Sequence, residues 1–208
     1  MGGGREAVIT EARKEDAPVY LVGTSWGAKT ALAIIAEDPA AVNGTILLVP
    51  ALKTTKETLF EKLRTALGYW FAPDRPIPLP LTPPDYIPRR HLCERVPASD
   101  TKLLSEMDDD TKLLHAATPR FHVEANRMQQ RALRALTKQA HPSPILMLFA
   151  GKDKIVKEEA SRALVQKASG EATEVLLPEQ GHGVQIQNPD LIAIQMEQWI
   201  QYQRRPHP

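Results

Sequence analysis

Cysteine is nearly absent from this chain. Cys93 is the one thiol in 208 residues, which excludes an intrachain disulfide and any multi-cysteine metal site and suits a reducing compartment. A surplus of either charge is missing as well. The 26 basic and 25 acidic side chains leave a formal charge of +1, so nothing in the balance argues for nucleic acid or an anionic membrane as partner. No apolar run approaches the ~20 residues that a bilayer span requires. The opening residues, Met1-Gly2-Gly3-Gly4-Arg5-Glu6, contain no apolar core of a secretory signal. Glu6 stands where a myristoylation site wants Ser or Thr, which removes Gly2 from consideration. No helical His pair of metal-ligand spacing occurs, so neither a metal nor another cofactor is expected. These absences leave a soluble, cytoplasmic chain as the expectation. Its residues are 42% hydrophobic, enough for a sizeable core.

What is present is an alternation of short apolar runs with helical patterns. Residues 19–22, 45–49, 145–150 and 173–177 read as buried strands, each nearly continuous in apolar side chains, as a parallel sheet covered on both faces requires. Helical periodicity follows at 28–37, with Ala28, Ala31, Leu32 and Ile35 on one face and Pro39 closing it. It returns at 158–168 and at 189–202, where Asn188 is a good N-cap and Ile192, Met196, Trp199 and Ile200 share a face. Strand and helix in turn, with short links, predict a doubly wound, mostly parallel α/β fold.

Residues 53–142 break that rhythm. A helix at 57–71 gives way to a proline-dense stretch at 73–88, followed by helical patterns near 100–114 and 121–136. An interdomain linker is one reading. An insertion that leaves the sheet after one strand and rejoins it at the next fits better, giving a core of 1–52 and 143–208 and a helical, Pro-rich cap of 53–142. The apolar residues of its first helix (Leu59, Phe60, Leu63, Leu67, Trp70, Phe71) read as core or as a receptacle for an apolar substrate chain. The run Asp108-Asp109-Asp110 reads as a solvated turn or helix start rather than a metal site.

Chemistry concentrates at the carboxyl ends of strands. Gly23-Thr24-Ser25-Trp26-Gly27 joins an apolar run to a helix, the strand–turn–helix context of a nucleophile elbow, where glycines let strand and helix approach. A serine nucleophile needs a base and a group to orient that base. Asp153 follows the strand at 145–150, and His182 follows the strand at 173–177. In open α/β sheets that edge is where ligands bind. Taken singly, each residue is as readily a turn or surface position. The order Ser25, Asp153, His182, each at a separate strand end, is the order of a hydrolase of this architecture. His91, His115, His122 and His141 fall in the insertion or its exit, and His207 in a Pro-rich tail, so they compete poorly.

From Val19 onward the chain resembles the α/β-hydrolase superfamily, in particular its monoacylglycerol lipase, lysophospholipase and serine aminopeptidase-like branch. The resemblance rests on V-Y-L-V-G-T-S-W-G-A-K-T-A-L, A-G-K-D-K-I-V and L-L-P-E-Q-G-H-G before a closing helix with Trp199. A cap stretch, D-T-K-L-L-H-A-A-T-P-R-F, adds to it. It implies Ser25 as nucleophile, His182 as general base and then acid, Asp153 as orienting carboxylate, and the backbone N–H of Trp26 as an oxyanion donor. It further implies hydrolysis of lipid-like carboxylic esters, such as a monoacylglycerol or lysophospholipid, through an acyl-enzyme. An aminopeptidase on the same scaffold is one alternative. A truncated, inactive homologue acting as a binding or oligomerisation module is the other. A dehalogenase is disfavoured because the elbow carries Ser rather than Asp.

The resemblance also marks a departure. Residues 5–13 read as the end of a helix leading into the strand at 19–22, and Gly2-Gly3-Gly4 as a disordered start. Family members carry earlier strands and a His-Gly loop that supplies a second oxyanion donor, so the chain reads as truncated at its N-terminus. The elbow strand is then expected at an exposed sheet edge, an aggregation hazard or a surface for homo-oligomer formation.

Overall fold

The structure, a computed structural model, describes residues 3–13, 17–54, 59–78, 116–139, 143–169 and 172–205. The helical pattern near 100–114, the Asp108–Asp110 run, Cys93, His91, His115, His141, His207 and most of the proline-dense stretch lie outside these residues.

Among the described residues, four parallel strands make the sheet. In chain order the first elements are α1 (Gly3–Arg13), β1 (Tyr20–Thr24), α2 (Gly27–Glu37), β2 (Gly44–Leu48) and α3 (Leu59–Phe71). A two-residue pair follows, β3 (Ile77–Pro78) antiparallel to β4 (Ala116–Ala117), and then α4 (Pro119–Leu136). The second half supplies β5 (Ile145–Ala150), α5 (Glu158–Ser169), β6 (Ala172–Leu177), α6 (Val184–Gln187) and α7 (Pro189–Gln203). The strand order is β1-β2-β5-β6.

The two central strands, β2 and β5, are buried along their whole length, which is why their sequences are apolar without alternation. Their side chains nevertheless divide by period two. Leu47, Ile145, Met147 and Phe149 face a layer of α2, α4 and α5, meeting Leu32, Ile35, Leu133, Leu136 and Val165. Ile46, Leu48, Leu146 and Leu148 face the other layer, where Val184, Ile192 and Trp199 cover them. Each such side chain fully withdrawn from water contributes about 1.5–3 kcal/mol. Helices on both faces of a parallel sheet are the doubly wound α/β arrangement.

Local chemistry sets the helix ends. Thr118 caps α4, its hydroxyl accepting from Phe121 N–H at 3.1 Å, with Pro119 at the first helical position. Asn188 and Pro189 do the same for α7. Trp199 seats α7 on the sheet, its indole N–H donating to the Thr173 hydroxyl at 3.2 Å. The ring passes over Gly44, where a Cβ would come within 2.7 Å of it.

Four sequence expectations meet a different structure. Gly3 and Gly4 are helical, within α1, rather than a disordered start. The second strand ends at Leu48, one residue early, because Val49 turns to φ 41°, in the left-handed region. Helix α3 contributes no buried residue, and Leu59, Phe60, Leu63, Leu67, Trp70 and Phe71 are all exposed instead of forming core. Helix α4, read from the sequence as part of the insertion, supplies Ala132, Leu133 and Leu136 to the same core cluster as α2 and β5.

Candidate active site

Ser25 follows β1 directly, with φ 51°. An L-residue in that conformation costs about 1–2 kcal/mol, and it persists where its surroundings hold it. Here the end of β2, the loop after it and the first turn of α2 do so. Ser25 N–H donates to the Leu48 carbonyl at 2.8 Å, and the Ser25 carbonyl accepts from Ala51 N–H at 3.0 Å and Ala28 N–H at 3.2 Å. The adjacent left-handed Val49 is itself anchored, its N–H donating to Leu148 O at 2.8 Å. Gly23 makes the turn sterically accessible. A Cβ there would lie 2.9 Å from both the Ala31 Cβ and the Gly27 carbonyl oxygen, so strand and helix could not close to this distance.

Asp153 sits in the turn after β5, and its two oxygens divide the work. Oδ1 accepts from Ile155 N–H at 2.7 Å and Val156 N–H at 3.1 Å, which sets the loop. Oδ2 is left to face His182 Nδ1 at 2.8 Å. The two loops are tied to each other by Lys152 N–H donating to Gln180 O at 2.9 Å. The buried side chain of Gln187, on α6, accepts from Gly181 N–H at 2.7 Å. His182 Nε2 then stands 2.8 Å from Ser25 Oγ. The structure thus brings together three residues 29 and 157 positions apart in the chain. The His182 and Asp153 side chains are only 5% and 6% exposed.

A proton on Nδ1 satisfies the carboxylate, and Nε2 is then an acceptor aimed at a hydroxyl. Such a chain can take a proton from an attacking serine and stabilise the imidazolium that results. The N–H of Trp26 makes no hydrogen bond to any described residue, so it is free to donate to an oxygen beside Ser25. Among the described residues no group of three or more His, Cys, Asp or Glu is arranged to hold a metal. No described helix is long and apolar enough to cross a membrane.

Sequence reasoning passed over the surroundings of Trp26. Its indole stacks on Phe121 with ring centroids 5.1 Å apart, and His122 meets it edge-on at 5.5 Å. Lys29 Nζ lies 4.5 Å from the indole centre. The sequence groups His122 with the other histidines of the insertion or its exit. The signal that could have found it is the Phe121-His122 pair in the first turn of a helix whose later residues are apolar on one face.

A family model described as serine aminopeptidase, S33, matches residues 6–187 of this chain. No curated protein matches it. Among solved structures, the chain resembles a monoacylglycerol lipase from Paleococcus ferrophilus with TM-score 0.69 and 16% identity, over 96% of this chain and 73% of that one. A soluble variant of monoglyceride lipase from Saccharomyces cerevisiae, in complex with a substrate analogue, gives TM-score 0.69 and 15% identity over 98% and 68%. A thioesterase domain from the curacin biosynthetic pathway gives 0.53 and 19% over 92% and 71%. At these identities the likeness is one of fold.

Proposed function

We propose, on the premise that this chain belongs to the serine aminopeptidase S33 family of α/β hydrolases, that it cleaves carboxylic esters through an acyl-enzyme on Ser25. The observation that carries the reading is the continuous hydrogen-bonded chain from Ser25 Oγ through His182 to Asp153, ending on a strained serine. In the first half-reaction Ser25 Oγ attacks the ester carbonyl carbon while His182 Nε2 takes the hydroxyl proton. The carbonyl oxygen gathers negative charge and accepts from Trp26 N–H. His182 passes the proton to the departing alcohol oxygen as the C–O bond breaks. In the second half, water attacks the acyl carbon while His182 takes its proton, and the imidazolium returns that proton to Ser25 Oγ as the Oγ–acyl bond breaks and the carboxylic acid leaves. Asp153 keeps the proton on Nδ1 and stabilises the imidazolium throughout.

The substrate class we propose is a lipid-like ester, such as a monoacylglycerol or lysophospholipid. Two things support it: the solved lipases of like fold, and the apolar side chains flanking the elbow, where Phe121 is half-exposed against Trp26. The test is labelling with a fluorophosphonate probe. Ser25 is expected to carry the adduct, and Ser25→Ala and His182→Ala to lose about 10⁴-fold or more of p-nitrophenyl ester turnover. Folded protein whose Ser25 remains unlabelled would end the reading. Cleavage of an amino-terminal amide by the same residues is a second reading, favoured by the family description. Faster release of p-nitroaniline from amino-acid anilides than of p-nitrophenol from esters would select it.

A further inference from the structure

Lys29 stands where a cation is least favoured. It is the third residue of α2, in the turn where the helix dipole presents its positive end, and it is only 4% exposed. An ammonium withdrawn from water raises the energy of the fold unless it is held by polar partners. Its Nζ donates to Asn126 Oδ1 on α4 at 2.8 Å, and from there it lies 4.5 Å from the centre of the Trp26 indole. That indole is also packed by Phe121 and His122 from the same helix. A long, buried, charged side chain thus connects α4 to the residue directly after Ser25.

We propose that Lys29 is a positioning residue for the oxyanion donor: anchored on Asn126, its ammonium holds the Trp26 indole and so keeps the Trp26 N–H aimed beside Ser25. This rests on the acyl-transfer reading of Ser25. Lys29 touches no reacting atom and acts through Trp26. Its attraction to the indole is electrostatic, so an apolar side chain of similar length fills the space without supplying the hold. The effect is selective in kinetics. A misplaced donor weakens an interaction made when charge develops on the carbonyl oxygen, and leaves ground-state binding as it was.

The experiment compares wild type, Lys29→Met, Lys29→Arg and the double variant Lys29→Met/Asn126→Leu. It measures the maximal inactivation rate and half-saturating concentration of a fluorophosphonate, kcat and KM for a p-nitrophenyl ester, and the thermal midpoint. Lys29→Met is expected to lower the inactivation rate and kcat about tenfold, with KM and half-saturation within about twofold. Lys29→Arg is expected to recover most of the rate, because a guanidinium also binds an aromatic face. In the double variant the Asn126 oxygen is no longer left without Lys29, and the midpoint is expected at or above wild type while the rate stays low. Equal rates in wild type and Lys29→Met overturn the proposal and leave the acyl-transfer reading standing. So does a double variant that regains both midpoint and rate. A wild-type protein with Ser25 unlabelled overturns the acyl-transfer reading, and this proposal with it.

Discussion

The two glycines of the elbow do different work. At Gly23 a methyl group would press on Ala31, the Gly27 carbonyl and the Ala28 Cα, whereas at Gly27 it would meet nothing within 4 Å. Gly23→Ala is therefore expected to cost about 1–3 kcal/mol, as overpacked sites do, and to slow probe labelling of Ser25. Gly27→Ala is expected to be neutral or to stabilise by about 0.4–1 kcal/mol by restricting the unfolded chain. Urea denaturation of the pair measures both. Asp153 offers a second separation, because one oxygen builds its loop and the other faces His182. Asp153→Asn keeps an oxygen for the loop N–H groups and removes the charge. Turnover is then expected to drop about 10⁴-fold with the fold retained, read by ester hydrolysis beside circular dichroism.

Helices α3 and α4 show how alike two amphipathic patterns can look and how differently they end. In α4 the stripe Ala125, Ala132, Leu133, Leu136 is buried against the core, and Leu136→Ala is expected to cost about 2–5 kcal/mol by denaturation. In α3 the stripe faces outward, with Trp70 80% exposed. Trp70→Ser is expected to shift stability by no more than about 0.5 kcal/mol. What holds α3 is its other side, where Gly68 lies against Pro119 and the Tyr69 hydroxyl accepts from Arg127 Nη1 at 2.8 Å. Periodicity of 3.6 states that a helix has an apolar face. It carries no information about which element, if any, lies opposite.

In the molecule as a whole, β1 is the outermost strand on one side of the sheet among the described residues. By the alternation of a parallel ladder, Leu21, Gly23 and Ser25 turn their peptide groups to β2, leaving those of Tyr20, Val22 and Thr24 on the open side. Val22 is 44% exposed. Tyr20 shares a cluster with Met196 and Ile200, which line an open, largely apolar groove of about 500 Å³ along α7. Such an edge favours pairing with another chain, a second copy included. Where copies of the chain pair through this edge, Val22→Lys is expected to reduce that association, measured by light scattering across concentration, while Ser25 remains open to probe labelling. A scattering profile identical in wild type and Val22→Lys would show that this edge does not pair copies of the chain.

Much of this was legible beforehand because it depends on neighbours along the chain. Unbroken apolar runs mark the buried parallel strands, and Gly-x-Ser-x-Gly between strand and helix marks the elbow. A carboxylate and an imidazole just past strand ends follow from the same logic, since a parallel sheet delivers all its carboxyl ends to one side. The Asn188 cap before Pro189 is equally local. The setting of Trp26 was not legible, because Lys29 meets Asn126 across 97 positions and no local pattern records which helix packs on which. Val49 escaped notice for a related reason: a β-branched residue is a poor choice for positive φ, and only the anchoring by Leu148, with the clasp around Ser25 beside it, keeps it there. Local preference selected the elements. Packing between distant ones chose the contacts that aim the serine.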